Sequence, residues 1–162
     1  MHNFILIYKL AEVSPLIKLA LLGQGISHSL SPKLYREYLG PNIQYELLDI
    51  STAQQIPTIE QLRTMGYQGL NITAPWKKHF SGLAITEAKV WGAVNCLKIT
   101  QQSATATNTD ASALRELVPA LQSRKNPQTW VVLGDGVMAS IALKILKERG
   151  IEAANYSRKK GD

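Results

Sequence analysis

Three apolar segments alternate with helical segments along the first half of the chain. A continuous apolar run at 19–22 predicts a strand that is buried on both faces, and an alternating pattern at 44–50 predicts a second strand. The next helix is expected to begin after an N-cap at Thr58 and to stop at Gly66, before a third strand at 69–72. Because strands and helices alternate in this order, the sequence predicts a parallel α/β sheet with ligands beyond the carboxyl ends of its strands.

The stretch that follows the third strand carries polar residues typical of a site. Asn71 and Thr73 lie where that strand ends, and Pro75 suits the first position of a helix. Lys77 would then lie in the first helical turn, where the positive end of the helix dipole disfavours another positive charge by up to about 1 kcal/mol. We therefore expect Lys77 to have a carboxylate or an anionic ligand as its partner.

The loop after the first strand contains two serines beside the start of a helix. Ser31 is expected as the N-cap, with Pro32 at the first helical position, of a helix that runs to about Leu39. One interpretation is that Ser29 and Ser31 only cap this helix. The other is that their hydroxyl groups hold a hydroxylated or carboxylated ligand at the helix N-terminus. The residues alone leave both interpretations open.

Two further polar residues, Asn95 and Asp110, follow in the chain. Asn95 interrupts an apolar strand predicted at 92–97, and it either ties down a loop or faces a ligand, because a buried amide needs partners. Asp110 follows a return strand predicted at 105–107 and precedes a helix with apolar residues at helical spacing. Capping that helix is the usual role of an aspartate there, and Asp110 can also supply the carboxylate that Lys77 lacks.

A polar segment at 123–128 is the predicted boundary between two parts of the chain. We expect an N-terminal extension at 1–18, a first domain at 19–122 and a second unit at 123–162. Two complete domains would be tight in 162 residues, since domains cluster at roughly 100 to 150 residues. The second unit is therefore expected to be incomplete.

The second unit begins with a strand predicted at 129–133, followed by a glycine-containing turn and a helix. The spacing of the turn is Gly134-x-Gly136-x-x-Ala139. A tight bend at the first glycine, close approach of a pyrophosphate at the second and close packing at the alanine are the features of a phosphate-binding turn. Asp135 is the unusual residue here, because it places a negative charge close to where phosphates would lie.

The next strand, predicted at 151–156, ends in Ser157, Arg158, Lys159 and Lys160. An NAD site has an acidic residue at this position for the ribose hydroxyl groups, whereas basic side chains suit the 2′-phosphate of NADP. The predicted cofactor is therefore NADP. The alternative is that these residues form a solvated basic tail.

The composition narrows the class of ligand. The formal charge is +6, with 18 Lys and Arg residues scattered along the chain, so a small anionic substrate or a phosphate suits it better than nucleic acid. The single cysteine, Cys96, excludes an internal disulfide and a cysteine-based zinc site, and it agrees with a reducing cytoplasm. The three histidines show no metal-ligand spacing, and the apolar run at 4–8 is too short to span a bilayer. We expect neither a metal nor a membrane partner.

Four motifs occur in the order found in the shikimate dehydrogenase family, which includes the quinate/shikimate dehydrogenases. The chain resembles that family over roughly residues 19–160. The family patterns H-S-x-S-P, N-V-T-x-P-x-K, G-A-V-N-T and N-T-D correspond to His28–Pro32, Asn71–Lys77, Gly92–Cys96 and Asn108–Asp110. The glycine turn and the pair Ser157-Arg158 resemble the family's cofactor-binding segments. The methylenetetrahydrofolate dehydrogenases share a two-domain plan, but the first and last of these motifs do not fit them.

The resemblance implies a fold and a reaction. The fold is an N-terminal mixed, mostly parallel αβα substrate-binding domain, followed by the start of a Rossmann-like NADP-binding domain. The reaction is the NADPH-dependent, reversible reduction of 3-dehydroshikimate to shikimate, in the shikimate pathway to chorismate and the aromatic amino acids. The implied protein is a cytoplasmic oxidoreductase.

The resemblance also places functional roles on residues of this chain. Lys77 and Asp110 are the implied catalytic pair, and Ser29 and Ser31 are implied to hold the substrate carboxylate. The residues implied to contact the ring hydroxyl groups are Asn71, Thr73, Asn95 and Asp110, with Lys77 also in contact with the substrate. The residues implied to bind NADP are Gly134, Gly136, Val137, Ala139, Ser157, Arg158 and Lys159.

Several residues depart from the family's patterns. Gly25 replaces a proline before the first motif, and Cys96 replaces a threonine in the third. Ala113, Val137 and Ser157 replace two glycines and an asparagine on the cofactor side. Only one strand-helix-strand unit of the nucleotide domain is present, so the resemblance implies a C-terminally truncated enzyme. A non-catalytic shikimate-binding module is the alternative, and a homodimer that covers the incomplete sheet is a further expectation.

Overall fold

The computed structural model describes residues 16–123 and 129–158, apart from the side chains of Thr86 and Glu87. Most of the predicted extension at 1–18 and all but the first residue of the predicted boundary segment lie outside the described residues. Lys159 and Lys160 of the predicted NADP segment lie outside them as well.

A five-stranded mixed sheet forms the centre of the first half of the chain. Its strands, in chain order, are β1 (Ile17–Gly23), β2 (Ile43–Asp49), β3 (Gly69–Ile72), β4 (Cys96–Ile99) and β5 (Ala104–Thr107). The spatial order is β2-β1-β3-β4-β5, with β1 parallel to both of its neighbours and with antiparallel pairing from β3 to β5. The predicted mixed α/β fold is confirmed, with parallel strands β2, β1 and β3 on one side of the sheet. The antiparallel strands β4 and β5 on the other side differ from the fully parallel sheet that the order of strands and helices predicts.

The strand predicted at 92–97 is wrong in its first half. The chain forms a loop through Asn95, and β4 begins at Cys96. Val94 is fully buried in this loop, and its N–H donates to the carbonyl of Lys77 at 2.7 Å instead of extending the ladder between β3 and β4. An apolar run that is buried in a loop therefore has the same sequence pattern as a buried strand.

Five α-helices accompany the strands in the described part of the chain. They are α1 (Ser31–Leu39), α2 (Ile59–Thr64), α3 (Thr86–Lys89), α4 (Thr109–Gln122) and α5 (Val137–Glu148). The predicted cap of α2 is confirmed, because the Thr58 hydroxyl accepts from the Gln61 N–H while the Gln61 side chain accepts from the Thr58 N–H.

Two predicted helix starts differ from the structure. Ser31 is the first residue of α1 instead of its N-cap, and its N–H donates to the Ser29 hydroxyl at 3.2 Å. The helix expected from Pro75 is a single 3₁₀ turn at Trp76–Lys78, with Pro75 as the residue before it. Such a short turn has only a small dipole, so the dipole argument for a partner of Lys77 is weaker than the sequence suggested.

The main hydrophobic core lies against the five-stranded sheet. Its most buried side chains include Ala20 and Leu22 of β1, Leu62 of α2 and Val94 of the loop before β4, each with no exposed surface. Burial of a leucine or valine side chain stabilises the fold by roughly 1.5–3 kcal/mol. This core fixes the carboxyl ends of β1 and β3, from which the polar residues of the site project.

A second, two-stranded sheet follows in the chain. It consists of β6 (Trp130–Leu133) and β7 (Ala153–Tyr156), paired in parallel and joined by α5. One face packs on Ile141, Ile145 and Leu146 of α5, and α4 contributes Ala111 and Val118 to the same cluster. Alternate residues of the two strands are exposed on the opposite face. The described residues include no helix that is long and apolar enough to cross a membrane.

Candidate active site

A lysine and an aspartate form an ion pair where the two sheets approach each other. Lys77 lies in the 3₁₀ turn after β3, and Asp110 lies in the first turn of α4. The Lys77 Nζ is 2.5 Å from the Asp110 Oδ2. The lysine side chain is 15% exposed and the aspartate side chain 36% exposed, so the pair is sheltered but within reach of a small molecule.

Asp110 does not cap α4, although capping was its expected usual role. The cap is Asn108, whose side-chain oxygen accepts from the Ala111 N–H at 3.0 Å. Asn108 is 2% exposed, and its amide nitrogen donates to the Ala93 carbonyl at 2.9 Å. Because Asn108 satisfies the helix terminus, the Asp110 carboxylate is available to Lys77. The capping role of Asn108 was not predicted from the sequence, although its position two residues before Asp110 was the available signal.

Asn95 ties down the start of α4. Its side-chain oxygen accepts from the Thr109 N–H at 2.8 Å, and its amide nitrogen donates to the Thr109 hydroxyl at 2.8 Å. Of the two alternatives for this buried amide, the structural contact is the one observed. The amide nitrogen carries two hydrogens, so a contact with a ligand is compatible with the bond to Thr109.

Asn71 belongs to a second group of polar side chains, which includes Tyr45, a residue that was not predicted from the sequence. The Tyr45 hydroxyl donates to the Asn71 side-chain oxygen at 2.8 Å, and the Asn71 amide nitrogen lies 3.3 Å from the Cys96 Sγ. Burial raises the pKa of Tyr45 above its ordinary value, because the phenolate would be desolvated. Tyr45 therefore stays protonated at neutral pH, and the hydrogen bond that it donates fixes the orientation of the Asn71 amide. A tyrosine in an alternating strand gave no signal that separated this role from core packing.

Ser29 and Ser31 lie close together at the start of α1. Their hydroxyl oxygens are 3.1 Å apart, and both side chains are partly exposed. The preceding loop is fixed by Asp49, whose carboxylate accepts from the N–H groups of Gly25 and Ile26 at 2.7 and 3.1 Å. Gly25 has a φ of +65°, which proline cannot adopt, so this loop differs in conformation from one with proline at that position.

Thr73 is partly buried at the end of β3, where its N–H donates to the Leu22 carbonyl at 2.9 Å. This bond continues the pairing between β1 and β3 by one residue. Thr73 thus follows Asn71 at the carboxyl end of the sheet. The ladder fixes its backbone, so its position does not depend on a ligand.

The Lys77–Asp110 pair lines an open cleft of about 590 Å³, whose other side includes Ala139 of the glycine turn but neither Gly134 nor Gly136. The cleft is lined by Lys77, Asp110, Ala113, Leu114, Val132, Leu133, Met138, Ala139 and Ala142. The lining therefore combines the ion pair and α4 with the end of β6 and the first turns of α5. Neither the two serines nor Ser157 and Arg158 line this cleft.

The glycine turn fits a pyrophosphate. Gly134 has a φ of +114°, and no atom lies within 4 Å of the place where a Cβ would stand at Gly134 or Gly136. No side chain caps α5, so the N–H groups of its first turn are available to an anion. Asn155 supports the turn from below, because its amide nitrogen donates to the carbonyls of Val132 and Gly134 at 3.0 and 2.8 Å. Asp135 is exposed beside the turn.

The end of β7 carries the residues expected to select NADP. The Ser157 hydroxyl oxygen is buried and has no hydrogen-bond partner among the described residues, and Arg158 is exposed next to it. A buried hydroxyl group without a partner is a feature that a bound ligand would satisfy.

These features define a two-part α/β protein in which a lysine–carboxylate pair shares a cleft with the last residue of a nucleotide-type glycine turn. Residues 21–97 match the family described as the shikimate dehydrogenase substrate binding domain. Over these residues the chain is similar to the shikimate dehydrogenase family.

Known relatives agree along most of the chain. A shikimate dehydrogenase (NADP(+)) of Jannaschia sp. is 32% identical over 155 residues, which cover 87% of this chain and 55% of the relative. The crystal structure of shikimate dehydrogenase 1 from Peptoclostridium difficile is 28% identical, with a TM-score of 0.73 over 90% of this chain and 57% of that one. The Thermus thermophilus enzyme in complex with NADP(H) and shikimate is 28% identical, with a TM-score of 0.70 over 88% and 56%. The chain spans about half the length of the curated relatives it matches.

Proposed function

We propose that this chain carries the substrate-binding and catalytic residues of an NADP-dependent shikimate dehydrogenase, which reversibly reduces 3-dehydroshikimate to shikimate. The observation that carries the proposal is the Lys77–Asp110 pair, which shares an open cleft with Ala139 of the glycine turn. The similarity to a shikimate dehydrogenase solved with NADP(H) and shikimate supports both ligands. Such an enzyme serves the shikimate pathway to chorismate and the aromatic amino acids.

The chemistry requires a hydride at the substrate's carbonyl carbon and a proton at its oxygen. NADPH supplies the hydride when it is bound. Lys77 donates the proton to the carbonyl oxygen, so that the C=O group becomes CH–OH and the lysine is left neutral. Asp110 holds the Lys77 amine in place and stabilises its charged form before the transfer. In the reverse direction the neutral lysine accepts the proton of the hydroxyl group.

The remaining polar residues hold the substrate. Ser29 and Ser31 offer hydroxyl donors to its carboxylate at the start of α1. The residues proposed to contact its ring hydroxyl groups are Asn71, Thr73, Asn95 and Asp110. Support for Asn71 and Asn95 comes from the hydrogen bonds to Tyr45 and Thr109, which fix both amides before a ligand arrives.

The cofactor segment is proposed from the fit of the glycine turn. Gly134, Gly136, Val137 and Ala139 would hold the pyrophosphate, and Ser157, Arg158 and Lys159 the 2′-phosphate. The structure describes the first six of these residues. We also propose that the protein works in the cytoplasm and that two copies associate over the exposed face of β6 and β7, without nucleic acid or membrane partners.

A specific observation favours a second candidate, a shikimate-binding module without hydride transfer. Asp135 is exposed beside the glycine turn, where its charge would repel a pyrophosphate. Val137, at the first position of α5, adds a side chain where the family has glycine. Both residues would weaken binding of the cofactor, and neither would weaken binding of the substrate.

Calorimetric titration of the 162-residue chain with shikimate, and separately with NADP, tests the proposal. We expect shikimate to bind with a stoichiometry of one and Lys77→Met to weaken that binding at least tenfold. Lys78→Met is the matched control, because Lys78 is the exposed neighbour in the same turn, and its affinity should stay within threefold of the parent. Absence of shikimate binding by the folded parent chain would overturn the proposal.

Titration with NADP separates the two candidates. Binding of both ligands supports the dehydrogenase, and a turnover assay of the parent and Lys77→Met chains then tests catalysis directly. Binding of shikimate alone supports the binding module. Arg158→Ala should weaken the binding of NADPH more than the binding of NADH. Equal losses of affinity for the two cofactors would contradict the assignment of NADP.

A further inference from the structure

Trp91 is the one described residue that packs both against the core of the five-stranded sheet and against the cluster around α5. It lies in the turn between α3 and β4 and is partly buried. On one side it adjoins the core of the five-stranded sheet, and on the other it adjoins the cluster formed by α4 and α5. The two halves of the molecule therefore share this side chain.

Two cationic side chains, one on α4 and one on α5, lie against the indole ring. The Arg115 guanidinium carbon, on α4, lies 4.7 Å from the ring centroid, and the Lys144 Nζ, on α5, lies 5.5 Å from it. Lys144 also donates to the Val90 carbonyl at 2.9 Å. Both distances are within the range of cation–π attraction, which favours one arrangement of ring and cations over others. An apolar residue at position 91 would give packing without this preference.

The loop that begins at Trp91 also fixes the catalytic pair. Two residues further on, the Ala93 carbonyl accepts from Asn108, which caps the helix that carries Asp110. The Val94 N–H donates to the Lys77 carbonyl at 2.7 Å. The loop from Trp91 to Val94 thus connects the cation-bound ring directly to the backbone of the ion pair.

We propose that Trp91 is a positioning residue that sets the width of the cleft between the Lys77–Asp110 pair and the glycine turn. Lys144 lies on the helix that the glycine turn opens, so its contact with Trp91 and Val90 fixes α5 against the loop that braces Lys77. The contact keeps a constant distance between Lys77, the proton donor, and the site where a hydride donor would bind. The geometric part of the proposal stands by itself, and its consequence for ligands rests on the proposed function.

Distance measurements between spin labels on the exposed cysteines of Gln54→Cys and Glu152→Cys, in a Cys96→Ser background, test the geometric part. We expect one narrow distance distribution for the parent and a clearly broader one for Trp91→Leu. Trp91→Phe, which keeps an aromatic face, should be intermediate. A Trp91→Leu distribution as narrow as that of the parent would overturn the proposal.

Lys144→Met keeps the experiment decisive if Trp91→Leu fails to fold, because Lys144 is exposed and contributes no core packing. The control is Lys147→Met, which removes an exposed lysine from the next turn of the same helix. We expect Lys144→Met to broaden the distribution and Lys147→Met to leave it unchanged. Equal distributions for the two variants would contradict the role of the cation.

Ligand titration then separates positioning from simple packing. Trp91→Leu should weaken NADP binding at least tenfold while shikimate binding stays within threefold, and Trp91→Phe should restore most of the lost affinity. Equal losses for both ligands would indicate general destabilisation and overturn the proposal. If the parent binds neither ligand, the proposed function fails, while the distance measurements still decide the role of Trp91.

Discussion

The two sheets of this protein differ in how completely their faces are covered. The interior strand β1 of the five-stranded sheet ends in four consecutive buried residues, whereas β6 and β7 of the two-stranded sheet alternate between partly buried and exposed residues. Leu22 in β1 has no exposed surface, and Leu133 in β6 is 79% exposed. A strand covered on both faces is stabilised by every side chain it carries, and a strand covered on one face by half of them. The lysine and the serines of the site belong to the first kind of framework, and the glycine turn belongs to the second.

The largest expected effect comes from truncating equivalent leucines in the two sheets. Leu22→Ala should lower the free energy of unfolding by about 2–5 kcal/mol, because it leaves a cavity in a closed core. In a monomer, Leu133→Ala should change it by less than about 0.5 kcal/mol, because that side chain then contacts solvent, whereas the proposed dimer would make the loss larger. Urea unfolding followed by circular dichroism measures both variants. Similar losses for the two would show that the exposed face of β6 is covered in solution.

The second comparison concerns two asparagines that support turns near the site. Asn108 caps α4 and binds the Ala93 carbonyl, whereas Asn155 donates to two carbonyls beneath the glycine turn. Asn108→Ala should cost about 1–3 kcal/mol, since it exposes a helix terminus and leaves a buried carbonyl without a donor. Asn155→Ala should cost about 1 kcal/mol, since Asn155 is only partly buried. Thermal unfolding of both variants ranks them, and a larger loss for Asn155 would reverse the comparison.

The titration of Glu46 makes the stability of the five-stranded sheet depend on pH. A hydrogen bond from the Tyr67 hydroxyl lowers the pKa of Glu46, and Lys18 lowers it further. The lowered pKa means that this stabilisation is present above the carboxyl's unfolded pKa and is lost as the pH falls through the folded value. We expect the parent to melt above Glu46→Gln near neutral pH and the two melting temperatures to converge below about pH 4.5. A constant difference down to pH 3 would contradict this origin of the stabilisation.

Tyr67 extends the same cluster to alkaline pH. Burial, together with its bond to Glu46, raises the pKa of Tyr67 above its ordinary value. The stabilisation of the fold by protonated Tyr67 is fully present below the unfolded pKa of about 10. It is lost as the pH rises towards the pKa of Tyr67 in the folded protein. Tyr67→Phe, which cannot ionise, should therefore lose less stability than the parent between pH 9 and about pH 11.

Local signals in the sequence predicted the framework well. The strands β1 to β3 and the capping box of Thr58 are patterns within a few residues, so they were visible without the fold. The order of strands and helices also indicated a sheet edge with polar residues. The need of Lys77 for a carboxylate was stated from the sequence, and Asp110 lies against it in the structure.

The remaining features depend on contacts between distant residues. Asn108 and Asp110 are both suitable caps, and only the burial of Asn108 under the loop at Ala93 decides between them. Tyr45 reaches Asn71 across 26 residues of sequence, and Lys144 reaches the turn of Trp91 across more than 50. No local pattern carries such pairings, because they arise when separate elements pack together.

The smallest expected effect concerns the exposed ion pair between α4 and α5. Arg115 and Glu148 are 2.8 Å apart, with side chains 49% and 41% exposed. An exposed pair of this kind contributes about 0–1 kcal/mol, because solvent screens the charges and two long side chains must be ordered. Glu148→Gln should therefore change the free energy of unfolding by less than about 0.5 kcal/mol, measured in urea at low and high salt. A larger, salt-dependent loss would mean that the contact between the two helices rests on charge, and that Arg115 holds Trp91 only while Glu148 orients it. A negligible loss would leave the apolar cluster and the indole ring as the connection between the two sheets.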